Sequence, residues 1–318
     1  MLVMDFPHMS FSTAAPYHGL VAAPHTPFHS DGSLAPEVVA LQAAHLSAQN
    51  VKSVFITGTT GESSSLSVAE RACIYEAWAK VAKGHGIRVI AHVGANALCD
   101  ACELASVAQD LGFDAISALS PNYFKPASLD ALLACCEKIA SAAPSLPFYF
   151  YQIPVLTHVR FPMADFLKLG AERIPTLRGI KYTDPDLVGY RRCLALDAEK
   201  FDLPWGVDET LLAALATGAR GGVGSTYNFM PALAQAIIAA YEADDMPKAR
   251  DLQTCMIAII DALDSIGYLG AAKAIMGWLG VPVGPARLPL GNPSADALAR
   301  LRDRLDELDF FSWTRTLA

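Results

Sequence analysis

The chain has 318 residues, of which 53% are hydrophobic and 18% charged, too much apolar material and too little charge for a disordered polypeptide. A formal net charge of −8, with no basic run anywhere, argues against binding a phosphate backbone. Charged residues also interrupt every apolar stretch approaching the roughly 20 residues a membrane helix needs, so neither nucleic acid nor membrane is an expected partner.

The segment Met1–Gly19 carries an acid at Asp5 and no positive stretch ahead of a continuous apolar core. It does not read as a secretory leader, and a cytoplasmic chain is expected, with residues 1–17 as a loose arm. Eight short apolar, β-rich runs then follow at 19–24, 53–58, 88–94, 113–120, 147–153, 178–183, 203–207 and 221–226. Between them, segments such as 35–49, 67–83, 98–111, 128–142 and 208–218 carry apolar residues three and four apart, the period of a helix with one buried face. Ser67 and Glu70 have the spacing of a capping box, which places a helix start just after the segment GTTGES.

Runs that are continuously apolar, each followed by a helix, imply a parallel sheet covered on both faces. Eight of them match an α/β fold closed as a (β/α)8 TIM barrel. A doubly wound open sheet is the alternative, but no G-x-G-x-x-G follows the first run. The expected organisation is an arm at 1–17, the barrel at 18–228 and a C-terminal helical extension at 229–318, with a last helix near 294–308. Seven cysteines, mostly in helix-like segments, read as reduced, buried or half-buried thiols. Cys99 and Cys102 form a C-x-x-C without the second pair or the nearby histidine that zinc would need.

Chemistry in such a barrel sits where the strands end. The expected ends are polar: Thr59 and Thr60 within GTTGES, Tyr151 and Gln152, Lys181, Gly206 with Asp208 and Glu209, and Ser225. Lys181 interrupts an apolar strand, where an ammonium costs free energy without a task or a partner. Desolvation makes such an amine a nucleophile toward a carbonyl; the plainer reading is a lysine paired with a carboxylate or reaching the barrel mouth. GTTGES offers backbone N–H groups and hydroxyls to an anion such as a carboxylate, or is an ordinary strand-to-helix turn. Tyr151 is a core aromatic or, beside an imine-forming lysine, a proton shuttle.

Together GTTGES, the Y-x-x-P segment at Tyr151 to Pro154, and Gly179-Ile180-Lys181, with Tyr151 and Lys181 thirty residues apart, resemble the dihydrodipicolinate synthase/N-acetylneuraminate lyase family of class I aldolases, over about residues 18–295. The resemblance implies a barrel with a C-terminal helical region, a lysine that forms an imine with pyruvate, and a homotetramer. Segments 206–230 and 284–290 are similar to the sialic acid lyases within that family. Leu156 stands where the dihydrodipicolinate synthases carry an arginine for a second carboxylate. The implied activity is reversible cleavage of N-acetylneuraminate to pyruvate and N-acetylmannosamine. The alternatives are a sibling aldolase acting on another 2-keto-3-deoxy acid and a non-catalytic binding protein on the same barrel.

Carried over residue by residue, the resemblance implies Lys181 as nucleophile, Tyr151 as acid and base, and Tyr123 near the site. It implies Thr59 and Thr60 for the carboxylate, and Thr183, Gly206, Asp208, Glu209 and Ser225 for the sugar. No metal and no cofactor are implied, because the lysine imine is the electron sink. One departure is His158, where the family has glycine: it either contacts substrate at the mouth or is a solvated loop residue.

Overall fold

The apolar runs rich in β-branched and aromatic residues become strands because each is buried on both faces. The computed structural model describes residue 17, residues 19–197 and residues 200–314. Its strands are β1 (Gly19–Ala22), β2 (Ser53–Ile56), β3 (Arg88–His92), β4 (Ala115–Leu119), β5 (Phe148–Gln152), β6 (Leu177–Tyr182) and β7 (Gly221–Gly224). They form one seven-stranded sheet in the order β6-β5-β4-β3-β2-β1-β7, and every pairing is parallel.

The connections are helical, as parallel pairing requires. They are α1 (Val39–Ala48), α2 (Val68–Val81), α3 (Leu98–Asp110), α4 (Leu129–Ser141), the short α5 (Pro154–Thr157), α6 (Met163–Arg173), α7 (Leu187–Leu194) and α8 (Leu211–Thr217). The expected capping box is present: Ser67 Oγ accepts from the Glu70 N–H at 3.2 Å, and Glu70 Oε2 accepts from the Ser67 N–H at 2.9 Å. After β7 the chain is helical, with α9 (Pro231–Glu242), α10 (Met246–Asp264), α11 (Tyr268–Trp278) and α12 (Ala295–Glu307). Helix α10 packs against α8, α9, α11 and α12. Among the described residues no single helix is long and apolar enough to cross a membrane.

The run at 203–207 departs from expectation. It forms isolated parallel bridges instead of a strand, Gly179 to Asp202, Tyr182 to Trp205 and Trp205 to Gly222. Pro204 in its middle has no N–H to give a ladder, although its carbonyl accepts from Tyr182 N at 2.9 Å. The segment is held by Trp205, whose ring stacks on Tyr182 at 5.8 Å and meets Tyr190 edge-on at 4.9 Å.

Tyr17 corrects the arm reading at its last residue. It is buried, and its N–H donates to Asp202 Oδ2 at 2.6 Å; residues 1–16 lie outside the described residues. All seven cysteines are free thiols. Cys136 and Cys193 are buried, but Cys99 is exposed rather than buried or half-buried.

Candidate active site

The C-terminal ends of β2, β5, β6 and β7 open on a cavity of about 220 Å³. Lys181 stands on β6, so its neighbours in the sheet are apolar strands, and only its tip reaches the cavity. Its Nζ lies 4.1 Å from the Phe55 ring centroid and 4.2 Å from that of Tyr151. Burial lowers its pKa from the usual lysine value to about 7, and the Asp208 carboxylate opposes that shift. An amine bedded on two aromatic faces, without a carboxylate in hydrogen-bond contact, is available as a nucleophile near neutrality.

Tyr151 shares a register position with Lys181 on the adjacent strand. Its hydroxyl is hydrogen-bonded to Thr59 Oγ1 at 3.1 Å, which joins the GTTGES turn to the end of β5. Burial pushes the phenol up to about 12, with the Thr59 hydrogen bond acting the other way. Its ring is edge-on to Phe55 at 5.4 Å and to His92 at 5.7 Å. His92 is fully buried, and its ring is kept neutral by burial and by the charges of Arg71 and Lys181.

The rest of the cavity lining is largely acidic and hydroxylic. Asp208 Oδ2 accepts from the Thr226 N–H at 3.1 Å and from Thr226 Oγ1 at 2.6 Å. Asp208 Oδ1 and Thr183 Oγ1 are buried and meet no hydrogen-bond geometry among the described residues, although Thr183 faces the Tyr151 hydroxyl. The Tyr227 hydroxyl faces the same carboxylate without meeting hydrogen-bond geometry. Two glycines make this arrangement fit: a Cβ on Gly206 would lie 2.0 Å from Thr183 Oγ1, and one on Gly224 would lie 2.0 Å from Asp208 Oδ1. Burial and the nearby carboxylates of Asp208, Asp264 and Asp261 raise the pKa of Glu209. Ser225 Oγ and the Tyr268 hydroxyl are 2.7 Å apart. From α10, Gln253 donates to Asp208 O at 3.2 Å and accepts from Leu212 N at 2.9 Å, fixing the turn that carries Asp208.

A sequence profile of the dihydrodipicolinate synthetase family matches residues 16–308. The chain belongs to the dihydrodipicolinate synthetase family. Among curated relatives, the N-acetylneuraminate lyase of Xenopus tropicalis is 41% identical over 295 residues, spanning 92% of this chain and 96% of that protein. The human N-acetylneuraminate lyase is 39% identical over 300 residues, 93% of this chain and 94% of its own length. Among solved structures, Proteus mirabilis N-acetylneuraminate lyase superposes with a TM-score of 0.90 at 37% identity, covering 93% of this chain and all of that one.

In this member of the dihydrodipicolinate synthetase family, nine of the ten residues picked from sequence line the one cavity: Thr59, Thr60, Tyr151, Lys181, Thr183, Gly206, Asp208, Glu209 and Ser225. Tyr123 does not. It lies in the loop after β4, 77% exposed, with its ring edge-on to the equally exposed Phe124 at 5.0 Å. His158 adopts φ +53°, the left-handed conformation that favours glycine there, and is exposed outside the cavity lining. Sequence reasoning missed Ile260, Asp264 and Tyr268, which complete the wall from α10 and α11. Their segments carry an ordinary helical pattern, and nothing local to them marks a site.

Proposed function

We propose that the chain is a Schiff-base aldolase that reversibly cleaves N-acetylneuraminate to pyruvate and N-acetylmannosamine. The observation that carries this reading is Lys181. Its amine is desolvated between two aromatic rings and opens on a cavity that Asp208 and Thr183 also line, with Asp208 Oδ1 making no hydrogen bond among the described residues. Relatives bearing the lyase name at about 40% identity over nearly the whole chain support the substrate.

The chemistry follows from those positions. Neutral Lys181 attacks the keto carbon, and the carbonyl oxygen leaves as water when the imine forms. Thr59, Thr60 and the amides of their turn hold the carboxylate in register. Tyr151, protonated at rest and linked to Thr59, passes its own proton to the substrate carboxylate as it accepts the C4 hydroxyl proton. The C3–C4 bond then breaks and its electrons pass into the protonated imine, releasing the aldehyde sugar and leaving an enamine. Protonation at C3 and hydrolysis return pyruvate and free Lys181. The imine is the electron sink, so the reaction needs neither metal nor cofactor. Asp208, Glu209, Thr183 and Ser225 take hydroxyls of the sugar, and Gly206 makes room for Thr183.

The same reading includes a closed (β/α)8 barrel at 18–228 and a C-terminal helical region at 229–318. The bridges that seat residues 202–205 between β6 and β7 support closure. The family resemblance points to a homotetramer, and the exposed Tyr123–Phe124 pair is an apolar feature suited to a contact between subunits. Seven free thiols suit a reducing, cytoplasmic compartment. The test is pyruvate release from N-acetylneuraminate, followed with a coupled dehydrogenase. Parent protein releases pyruvate and folded Lys181→Ala does not; equal release by both would end the imine mechanism.

A further inference from the structure

The turn that presents Thr59 and Thr60 is fastened from behind by residues far away in the chain. Glu62, the fifth residue of GTTGES, sits in the left-handed region at φ +55°, where a non-glycine side chain needs compensation from its surroundings. Its carboxylate is fully buried. Oε1 accepts from Lys273 Nζ at 2.7 Å, with both side chains 0% exposed, and Oε2 accepts from the Arg287 N–H at 2.8 Å.

Lys273 extends the fastening to a second loop. Its ammonium also donates to Thr26 O at 3.0 Å, and Thr26 Oγ1 donates in turn to Gly61 O at 2.6 Å. The loop after β1, the turn after β2 and helix α11 thus close a ring of polar contacts through Gly61 and Glu62, the residues that follow Thr59 and Thr60 in that turn. The Arg287 side chain extends it outward, donating to Ser65 O at 3.1 Å and to Glu70 Oε1 at 2.6 Å. A buried ion pair is weak evidence for stability, because desolvation offsets most of the attraction, and its better-attested effect is to select one geometry. Here the geometry selected is that of the anion-binding turn.

We propose that Glu62 and Lys273 are positioning residues for the keto acid carboxylate: their buried ion pair, reinforced by Thr26, holds the 58–63 turn so that Thr59 and Thr60 meet that group. This rests on the imine aldolase reading and on the carboxylate role of Thr59 and Thr60. Neither residue touches substrate, and the C-terminal helices become part of the pyruvate-binding apparatus through Lys273.

The test uses borohydride trapping of Lys181 by two carbonyl probes, pyruvate and the neutral ketone hydroxyacetone, with the full chain. The double variant Glu62→Gln/Lys273→Met keeps side-chain volume and leaves no stranded charge, and Thr26→Val leaves the ion pair intact while cutting its tie to Gly61. In the double variant the pyruvate concentration for half-maximal trapping rises tenfold or more, and in Thr26→Val it rises severalfold. Hydroxyacetone trapping stays within twofold of the parent in both. An equal fall with both probes, as general loosening of the fold would give, overturns the proposal, and so does an unchanged pyruvate response. Should the double variant fail to fold, Thr26→Val decides by the same comparison. A parent that traps neither probe would instead remove the imine reading itself and this inference with it.

Discussion

Replacing Tyr151 by phenylalanine isolates the hydroxyl from the ring that carries it. The ring keeps its edge contacts with Phe55 and His92 and its place 4.2 Å from Lys181 Nζ, so the bed of the amine survives. What is lost is the 3.1 Å hydrogen bond to Thr59, worth about 0.5–1.5 kcal/mol of stability, and the proton relay. Positioned acid–base groups contribute about 10²- to 10⁴-fold, or about 3 to 5 kcal/mol at roughly 1.4 kcal/mol per decade. The expected outcome is a fall in kcat for N-acetylneuraminate cleavage within that range, while borohydride still traps pyruvate on Lys181 at near-parent yield. The phenol is pushed up to about 12, so the parent's profile shows no tyrosine titration near neutrality. A Tyr151→Phe protein with kcat within fivefold of the parent would refute the relay; one that no longer traps pyruvate would place the hydroxyl in imine formation instead.

The remaining expectations follow from the same geometry. With neutral Lys181 as the proposed nucleophile and its pKa lowered to about 7, kcat/KM rises about tenfold per pH unit below 7 and levels above it. Asp208 holds the lysine proton on, so Asp208→Asn moves the inflection toward acid; a shift toward alkali in stopped-flow or steady-state profiles would contradict the assignment. Gly224→Ala drives a Cβ to 2.0 Å from Asp208 Oδ1, and cleavage of the sugar acid is lost far more than pyruvate trapping; equal loss of both would mean wider collapse. Trp205→Ala empties the stack between Tyr182 and Tyr190 and costs about 3–5 kcal/mol in denaturant unfolding; a cost below about 1 kcal/mol would show that the segment at 202–205 is held by its backbone alone.

Most of the sheet was legible because strands buried on both faces are written as unbroken apolar runs, and strand ends then pointed to nine cavity residues. The exceptions have separate physical reasons. Run 203–207 is apolar like the others, but Pro204 denies it a ladder. Helices α6 and α7 were not singled out, since their segments, MADFLKLGAER and LVGYRRCL, mix charge into the apolar period. Tyr123 matched a pattern, yet its place depends on a loop that carries it outward. The Glu62–Lys273 pair joins residues 211 positions apart, and no local signal anticipates it. Lys273 stands in an apolar helix, as Lys181 does in an apolar strand, and only the strand lysine drew notice.

The seam at residues 202–205 has a consequence for motion. Ladders of three or more paired residues bind β7 to β1 and each strand from β2 to β6 to the next, and β1 meets β2 at the pair Ala22–Val54, but between β6 and β7 the sheet is joined through isolated bridges and a proline. Amides there protect one another less cooperatively, so this seam opens more readily in hydrogen exchange than the β3–β4 ladder. Lys181 stands on one bank of that seam, and Gly224 and Ser225 on the other, with Asp208 just beyond the bridging segment. A molecule bonded to the lysine and hydrogen-bonded to Asp208 therefore acts as a cross-brace. It slows exchange at Tyr182, Trp205 and Val223 more than at the β3–β4 pairing in the middle of the sheet.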